Sequence, residues 1–397
     1  MKRTRRFALL AAVMIMAELP MFAQNLTADT RVYRDGGSWV EEISGTIAAP
    51  TALQITTDMG SISVQGGAQK DVTYIIRKRV HSGTEEAARR DLAGFRASAA
   101  RRGDTAVIDG NTERRHGRLS VEFRIQAPRD LQQVRANTEG GSLSISNLAG
   151  RVAAQSGGGS ISLSDIAGEL SADTGGGSIE VTNSTNMLNL RTGGGSIKIT
   201  GSKGKVNAST GGGSISVGGA SEAVTVSTGG GSVQVQQCGS DLLVSTGGGS
   251  ISVGDVGKAK LDTGGGSIKL TSARGPVIAN TGGGSIELWK LMQGARAETG
   301  AGPITAEFLG MSTDSTLQTS VGDIIVYIGA QAKMTVKATL HMANGHQIRS
   351  DFPELKISSN GGEYGPKNFY AQGSLNGGGP VLKILTMSSN IEFRRAK

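Results

Sequence analysis

The amino-acid sequence predicts an all-β fold, a single-chain parallel β-solenoid with about 18 residues per coil. The first observation is a Gly-Ser-apolar corner that recurs with a fixed step of 18 residues, shortened once to 17. Its serines are Ser142, Ser160, Ser178, Ser196, Ser214, Ser232, Ser250, Ser267 and Ser285. The second observation is that residues 242–246 and 250–253, and their equivalents in each period, alternate apolar and polar side chains, as strands do. A fixed period with two strand signals indicates a stack of repeated coils.

The third observation is the placement of charged residues, which distinguishes parallel coils from an antiparallel meander with the same period. The outward residues of the first strand are Ser162, Glu180, Lys198, Ser216, Gln234, Ser252, Lys269 and Glu287. In stacked coils about 4.8 Å apart, Glu180 would face Lys198 and Lys269 would face Glu287. On the second strand Asp173 would face Arg191. A meander would place these residues two strands apart, so the charges favour the solenoid, and the general preference for right-handed crossovers predicts a right-handed one.

The N-terminal segment, residues 1–23, reads as a signal peptide. Lys2, Arg3, Arg5 and Arg6 precede an apolar run over residues 7–17, and Ala23 offers a small residue for cleavage. That run is too short to span a membrane as a helix. The sequence contains no later apolar stretch of sufficient length, so we expect no transmembrane segment in the mature chain.

Residues 24–135 are predicted to form a strand-rich N-terminal region that leads into the array. Alternation predicts strands at 39–47, 52–64, 72–79, 105–108 and 119–125. Helical spacing of Ala87, Ala88, Leu92, Phe95 and Ala99 predicts one helix over about residues 85–100, with Thr84 as N-cap. Residues 60–64 resemble an early, irregular coil of the array.

Residues 136–290 are predicted to form the regular solenoid, and residues 291–397 degenerate repeats and a β-rich C-terminal cap. Alternation places one apolar set inside the stack: Ile161, Leu163, Leu170, Ala172, Val224, Val226, Leu242 and Val244. The glycine triplets are expected to supply positive φ and close approach at a corner. The threonine before each triplet, as at Thr192 and Thr210, is expected to form a ladder. One coil buries too few apolar side chains to fold alone, so stability must come from contacts between neighbouring coils. The array therefore needs caps at its ends.

Composition excludes several function classes. The formal charge is +8, and residues 77–118 hold 11 Lys/Arg against six Asp/Glu. We interpret that basic segment as a solvated face, with contact to anionic lipid or polymer as the alternative. Single-strand nucleic-acid binding needs aromatic residues interleaved with the basic ones, and this interleaving is missing there, so no nucleic-acid partner is expected. Cys238 is the only cysteine, which excludes a disulfide framework.

Catalytic and ligand-binding patterns are also missing from the sequence. The glycine triplets are not followed by the Lys-Ser/Thr of phosphate loops. They carry no carboxylate for calcium. Charged residues in the array are scattered singly, whereas glycan-cleaving enzymes need clustered carboxylates. We therefore expect no catalytic, cofactor-binding or metal-binding residues and a protein that is not an enzyme.

Several segments together resemble a known family. They are the signal peptide, the Ala-Pro-Arg-Asp-Leu segment at 127–131, the Gly-Ser-Ile-x-Val units, and the closing Leu-Asn-Gly-Gly-Gly-Pro-Val-Leu-Lys-Ile at 375–384. This combination resembles the exported bacterial β-strand-repeat family known as "putative adhesin", a domain of unknown function. The resemblance covers roughly residues 40–395. It implies a β-solenoid, a cell-envelope location and no catalytic residues.

The leading functional hypothesis is therefore a non-enzymatic cell-envelope or secreted scaffold that binds or adheres. Its partner would be an envelope polymer, a glycan or another envelope protein. The location would be the periplasm, the outer cell surface or the extracellular space. A carbohydrate-active β-helix enzyme and a periplasmic sensing or regulatory partner remain as alternatives.

Overall fold

The computed structural model of the chain describes residues 24–25, 28–113, 119–361 and 367–396. The predicted signal peptide, residues 1–23, lies outside the described residues. One α-helix, Glu85–Leu92, is found in the described part, and the other elements are strands. The strands that precede the regular array are Gln24–Asn25, Asp29–Asp35, Ser38–Ile47, Ala52–Thr57, Ser61–Gly67, Val72–Val80, Phe95–Arg102, Thr105–Thr112 and Ser120–Pro128. The all-β prediction is confirmed.

Most strands belong to two parallel ladders. We call the strands that end at the glycine corner the Thr ladder and those that follow it the Ser ladder. The Thr ladder contains Ala52–Thr57, Thr105–Thr112, Gln133–Thr138, Arg151–Ser156, Leu170–Thr174, Leu188–Thr192, Val206–Thr210, Val224–Thr228, Val277–Thr281, Ala295–Thr299, Ser315–Thr319, Met334–Leu340 and Val381–Thr386. The Ser ladder contains Ser61–Gly67, Ser120–Pro128, Leu143–Leu148, Ile161–Ile166, Ile179–Ser184, Ile197–Ser202, Ile215–Val217, Ile268–Ala273, Ile286–Leu291, Ile304–Phe308, Ile324–Ile328, Ile348–Ser350 and Ile391–Arg395. Two long strands, Val233–Thr246 and Ile251–Thr263, contribute to both ladders.

Strand register in the ladders follows the sequence period. Ile161 pairs with Ile179, and Thr174 pairs with Thr192, so equivalent residues of successive periods lie side by side in parallel strands. The antiparallel meander is thereby excluded. The early coil expected at residues 60–64 is also confirmed, because Ile62 pairs with Leu143.

One continuous hydrophobic core lies between the ladders and extends from Ile47 to Phe393. Every residue that the alternation placed inside is buried: Ile161, Leu163, Leu170, Ala172, Val224, Val226, Leu242 and Val244. Because strand side chains alternate, each buried residue is flanked by one that faces solvent. The alternation therefore gives each ladder one apolar inner face and one polar outer face.

The glycine corner depends on close approach, and the expected positive φ is wrong. None of the array's triplet glycines lies in the left-handed region. A Cβ on Gly195 would instead lie 2.0 Å from the carbonyl oxygen of Gly177, the equivalent residue one coil away. A Cβ on Gly193 would lie 2.2 Å from the Gly175 oxygen, whereas one on the middle residue, Gly194, would meet nothing within 4 Å. The first and third glycines are thus required because only glycine lets these backbones stack so closely.

The threonine ladder expected at this corner is present and joins each coil to the next. The Thr210 hydroxyl donates to the carbonyl oxygen of Gly195 at 2.7 Å and accepts from the N–H of Gly213 at 3.2 Å. Ser156 makes the same two bonds. The donated bond recurs at Thr174, Thr192, Thr228, Thr246, Thr263, Thr281 and Thr299. Each hydroxyl satisfies one backbone group in its own coil and one in the neighbouring coil.

Replacing this hydroxyl should destabilise the stack. In Thr210→Val, a near-isosteric change of a buried side chain, the Gly195 carbonyl and the Gly213 N–H lose their partner at a half-buried corner. We expect a loss of about 1–3 kcal/mol in the free energy of unfolding. Thr210→Ser keeps the hydroxyl, as Ser156 does naturally, and should lose less. Urea unfolding followed by circular dichroism checks this, and equal losses for the two variants would contradict the role of the hydroxyl.

A second corner lies near the end of the Ser-ladder strands, and in several coils a left-handed residue forms it. Asn147, Asp165, Asn183 and Gly201 occupy it with φ values of 57°, 55°, 55° and 71°. Asn, Asp and Gly tolerate this conformation better than other residues. Lys290 occupies the equivalent position in a later coil, with φ 48°. A lysine has no such tolerance, so this coil is locally strained.

At both ends of the stack the chain inserts a coil out of sequence order. Near the N-terminus, strands 52–67 lie between strands 133–148 on one side and 105–128 on the other. Near the C-terminus, strands 381–395 lie between strands 315–328 and 334–350. The regular array is therefore extended at each end by coils whose strands pair with residues distant in sequence.

Antiparallel strands then cover the outermost coils. Val72–Val80 pairs with Ser120–Pro128, and Phe95–Arg102 pairs with Thr105–Thr112. At the other end Asn368–Leu375 pairs with Met334–Leu340, and Lys356–Asn360 adds to its free side. Antiparallel covers of this kind stop further parallel stacking, as the caps of repeat proteins do.

The helix is shorter than the expected range of about 85–100, and that prediction is wrong beyond Leu92. Thr84 is the N-cap as predicted, since its hydroxyl accepts from the N–H of Ala87. Gly94 follows the helix, and residues 95–102 form a strand that pairs with Thr105–Thr112. Phe95 packs edge-on against Phe123 at 6.3 Å between ring centroids. Tertiary pairing overrode the helical spacing, which Phe95 and Ala99 had extended beyond Leu92.

Candidate functional site

The outer face of the Ser ladder carries the charge columns predicted from the sequence. Lys198 Nζ lies 2.9 Å from Glu180 Oε1, and Lys269 Nζ lies 3.8 Å from Glu287 Oε2. Asp173 and Arg191 are paired in register, but the ion pairs of the described residues do not include them. The side chains of the two bonded pairs are 41–64% exposed, so each pair contributes little to stability. Their positions confirm the parallel register.

Serine hydroxyls line the edge of the same face. The Ser178 N–H donates to the Ser160 hydroxyl at 3.2 Å, and the Ser196 N–H donates to the Ser178 hydroxyl at 3.2 Å. The bond recurs at Ser214, Ser250, Ser267 and Ser285. These serines remain exposed, so they join coils and also leave a row of hydroxyls in contact with solvent.

Toward the N-terminus this face becomes concave. A cavity of about 870 Å³ lies on the sheet formed by the covering strands and the first Ser-ladder strands. Its lining is mostly polar and includes Ser63, Gln65, Glu122 and Arg124. Arg124 pairs with Glu122 at 2.7 Å. The cavity offers hydroxyl, amide and paired charged groups.

An aromatic pair marks the other end of the Ser ladder. The rings of Trp289 and Tyr327 lie 5.7 Å apart between centroids, with 35° between their planes. Both are half-buried, and the strand between theirs carries Glu307, which pairs in register with Tyr327. Trp289 and Lys290 together oppose Glu307 in a β-bulge.

Sequence reasoning missed this pair for a definable reason. Trp289 occupies an outward position, where the regular coils carry residues such as Ser164 and Thr182. An outward tryptophan was therefore a usable signal. Its partner Tyr327 lies 38 residues later, because extra residues between Phe308 and Ser315 break the period. Counting in steps of 18 does not bring the two residues together.

Next to Tyr327 lies Arg394, its partner in register on the following strand. Arg394 Nε donates to Glu392 Oε2 at 2.9 Å. This bond raises the pKa of the Arg394 guanidinium. The side chain is exposed and stays charged at any physiological pH.

The basic segment at 77–118 is extensively ion-paired. Arg89 pairs with Glu85, Arg90 with Glu86, Arg96 with Glu113, Arg101 with Asp104 and Arg102 with Asp109. Residues 114–118, which carry three of its arginines, lie outside the described residues. In the part that the structure covers, the pairing supports a solvated face.

Two acidic residues of the N-terminal sheet are held in ion pairs that each have one buried partner. Burial would raise the pKa of Glu42, but hydrogen bonds from Arg77 and Arg31 outweigh it and hold that pKa below its usual value. Lys78, 4% exposed, pairs with Glu41 and donates to the Leu92 and Phe95 carbonyls at 3.2 and 2.9 Å. Lys78 thus satisfies carbonyl oxygens at and just beyond the C-terminal end of the helix. These groups position the N-terminal cover and are remote from the aromatic pair in sequence.

Nucleophilic and metal-ligating side chains are dispersed. The described residues contain no group of three His, Cys, Asp or Glu that could hold a metal ion. His81 Nε2 lies 3.2 Å from the Ser38 hydroxyl, but Ser38 is only 2% exposed. Cys238 is buried, and burial raises the pKa of its thiol, so it is a poor nucleophile. Within the described ranges the helix Glu85–Leu92 is too short to cross a membrane.

Comparison with known proteins yields structural neighbours only. Neither a scan against protein-family models nor a search of curated proteins finds a match. A "putative cell adhesion protein" from Clostridium sporogenes ATCC 15579 is 9% identical, with TM-score 0.17, and the match covers 94% of this chain and 100% of that one. A "putative adhesin" from Bacteroides fragilis NCTC 9343 is 13% identical, with TM-score 0.20 and coverage of 72% and 96%.

A third solved structure carries a different description. It is a "putative lipid binding protein" from Parabacteroides distasonis ATCC 8503, 13% identical, with TM-score 0.22 and coverage of 74% and 97%. Two of these three neighbours are thus named for adhesion. The chain is similar to the bacterial "putative adhesin" proteins that its repeats and closing segment already resembled.

Proposed function

We propose that this protein is an exported, non-enzymatic β-solenoid that binds a polymer of the bacterial cell envelope through the outer faces of its ladders. The observation that carries the proposal is the parallel pairing of successive coils from residues 133–148 to residues 315–328, which is interrupted only by register shifts after Cys238 and after Leu288. This pairing repeats polar outward side chains in most of the coils. A long polymer can make the same small contact many times along such a face, and many weak contacts add up to useful avidity.

The chemistry of the face supports a polymer rich in hydroxyl groups. Its outward residues are mostly Ser, Thr, Asn and Gln, interspersed with ion-paired Lys and Glu. These side chains both donate and accept hydrogen bonds. The export signal of the sequence and the resemblance to adhesin-type proteins support a location in the envelope.

Binding of the chain from Gln24 to Lys397 to envelope fractions tests the proposal. We expect saturable co-sedimentation with intact cells or isolated cell-wall polymer that persists at high salt, because the face is nearly neutral. A variant lacking residues 175–210 removes two coils while keeping the register, since Thr174 then precedes Gly211. It should fold and bind a long polymer more weakly. Absence of binding to every envelope fraction, or unchanged binding by the shortened variant, would refute the proposal.

A further inference from the structure

We propose that Trp289, Tyr327 and Glu307 form a binding subsite for a neutral sugar ring of a polysaccharide. This inference rests on the proposed function and deepens it by naming the ligand class and the place of strongest contact. The site lies on the outer face of the Ser ladder, where the regular array meets its irregular C-terminal coils.

The first argument is the geometry of the rings. Trp289 and Tyr327 come from strands two coils apart, yet their centroids are 5.7 Å from each other, so they form one aromatic surface across the intervening strand. Outward positions of the preceding coils carry small polar side chains such as Ser164 and Thr182. Aromatic rings with a polar rim suit a ligand that is apolar on one face and polar at its edges.

The second argument is the strain at Lys290. Its left-handed φ of 48° falls at a position where the other left-handed residues are Asn, Asp or Gly. This residue completes the bulge that sets Trp289 and Lys290 opposite Glu307. Bulges re-aim side chains and are over-represented beside functional sites, and a strained non-glycine residue persists only where the surroundings hold it. The bulge therefore brings the Lys290 N–H to the Glu307 carboxylate, directly beside Trp289.

The third argument is the carboxylate of Glu307, whose strand lies between the strands of the two rings. Glu307 Oε2 accepts from the Lys290 N–H at 3.2 Å, and the ion pairs of the described residues do not include Glu307. A carboxylate is a strong acceptor for hydroxyl donors. In a protein–protein interface it would become an unpaired charge at the centre of the contact, which is costly. Sugar hydroxyls satisfy it, and a protein surface would need a matching cation there.

The fourth argument is the balance of charge around the rings. The nearby acids Glu287, Glu307 and Glu392 are matched by Lys269, Lys290 and Arg394. Two of the acids are already paired, Glu287 with Lys269 and Glu392 with Arg394. Arg349, in register with Glu392, is one further exposed basic side chain, but Glu307, the acidic residue in register with Tyr327, would repel phosphate or uronate groups at the rings. A neutral sugar is the ligand that fits.

Intrinsic fluorescence offers a direct test, because Trp39 and Trp289 are the only tryptophans. In a Trp39→Phe background, Trp289 becomes the sole reporter. Titration with soluble neutral polysaccharides (β-glucan, xylan, mannan and galactan) should change its emission saturably for at least one polymer. The affinity should be similar at low and high salt, and dextran sulfate should not compete.

Variants then locate the contact. Trp289→Ala, assayed by calorimetry, and Tyr327→Ala should each weaken binding about tenfold or more, as expected for an aromatic anchor. Glu307→Gln should weaken it less, because the amide still accepts a hydrogen bond. Ile357→Ala is the matched control: an exposed apolar side chain, 44% accessible, on the covering strand Lys356–Asn360, outside both ladders. It should bind like the parent chain, and circular dichroism should show that all variants fold.

The outcomes separate this inference from the proposed function. If a neutral polysaccharide binds but Trp289→Ala and Tyr327→Ala bind it unchanged, the subsite is wrong and the binding scaffold stands. If no neutral polysaccharide binds while envelope fractions do, the subsite is again wrong. If Trp289→Ala abolishes capture of an envelope protein instead of a polysaccharide, the ligand class is wrong. If nothing binds the parent chain, both proposals fail.

Discussion

A chain that ends at Pro380 is expected to lose the cooperative folding of its C-terminal third. The missing segment contains the coil inserted between strands 315–328 and 334–350. Its Leu382, Ile384, Ile391 and Phe393 are at most 1% exposed. Burial of four such side chains contributes about 6–12 kcal/mol, on the order of the whole stability of a typical domain. The two coils on either side would also lose their parallel partner.

The measurement is urea unfolding followed by circular dichroism, together with size-exclusion chromatography. The variant that lacks residues 175–210 serves as control, because it removes about twice as many residues without breaking the order of coils. It should unfold in one transition close to that of the full chain. A chain ending at Pro380 that unfolds at the same urea concentration as the full chain would show that the inserted coil is dispensable.

The second large effect is expected from Gly195→Ala. The new Cβ would lie 2.0 Å from the Gly177 oxygen, 2.4 Å from its carbonyl carbon and 2.7 Å from the Ser178 nitrogen. All three are backbone atoms, so relief requires the two coils to move apart. Overpacking usually costs 1–3 kcal/mol, and this contact leaves no flexible side chain to yield, so we expect about 3 kcal/mol or more.

Gly194→Ala is the matched control, one residue away in the same triplet. A Cβ there meets nothing within 4 Å, and the backbone is outside the left-handed region. Its stability should stay within about 0.5 kcal/mol of the parent chain. The sequence already contains Ala301 and Val321 at the equivalent middle position, so larger residues are accepted there. Thermal unfolding of both variants decides the matter, and equal melting temperatures would show that the coils can separate freely.

The aromatic subsite shows how far the sequence could lead toward function. The alternation of side chains along the strand is enough to predict that Trp289 faces outward. Its contact with Tyr327 depends on the irregular residues between Phe308 and Ser315, whose length obeys no period. The bulge at Lys290 is likewise set by pairing with the next strand. The residues of this site come from three strands that are separated by unequal numbers of residues. Their positions relative to one another are therefore defined only when those strands are stacked.

The sequence by itself determined the repeated part of the molecule. Its period, its alternation and its charge columns gave the parallel register of residues 143–291, the buried residues and the threonine ladder, because identical coils must stack in the same way at every level. Tertiary structure alone decided the ends. The helix stopped at Leu92 because residues 95–102 found a strand partner, and the inserted coils 52–67 and 381–395 join segments far apart in sequence. Such pairings depend on which strand edges still lack a hydrogen-bonding partner once the array has formed. Local sequence patterns contain no information about these edges.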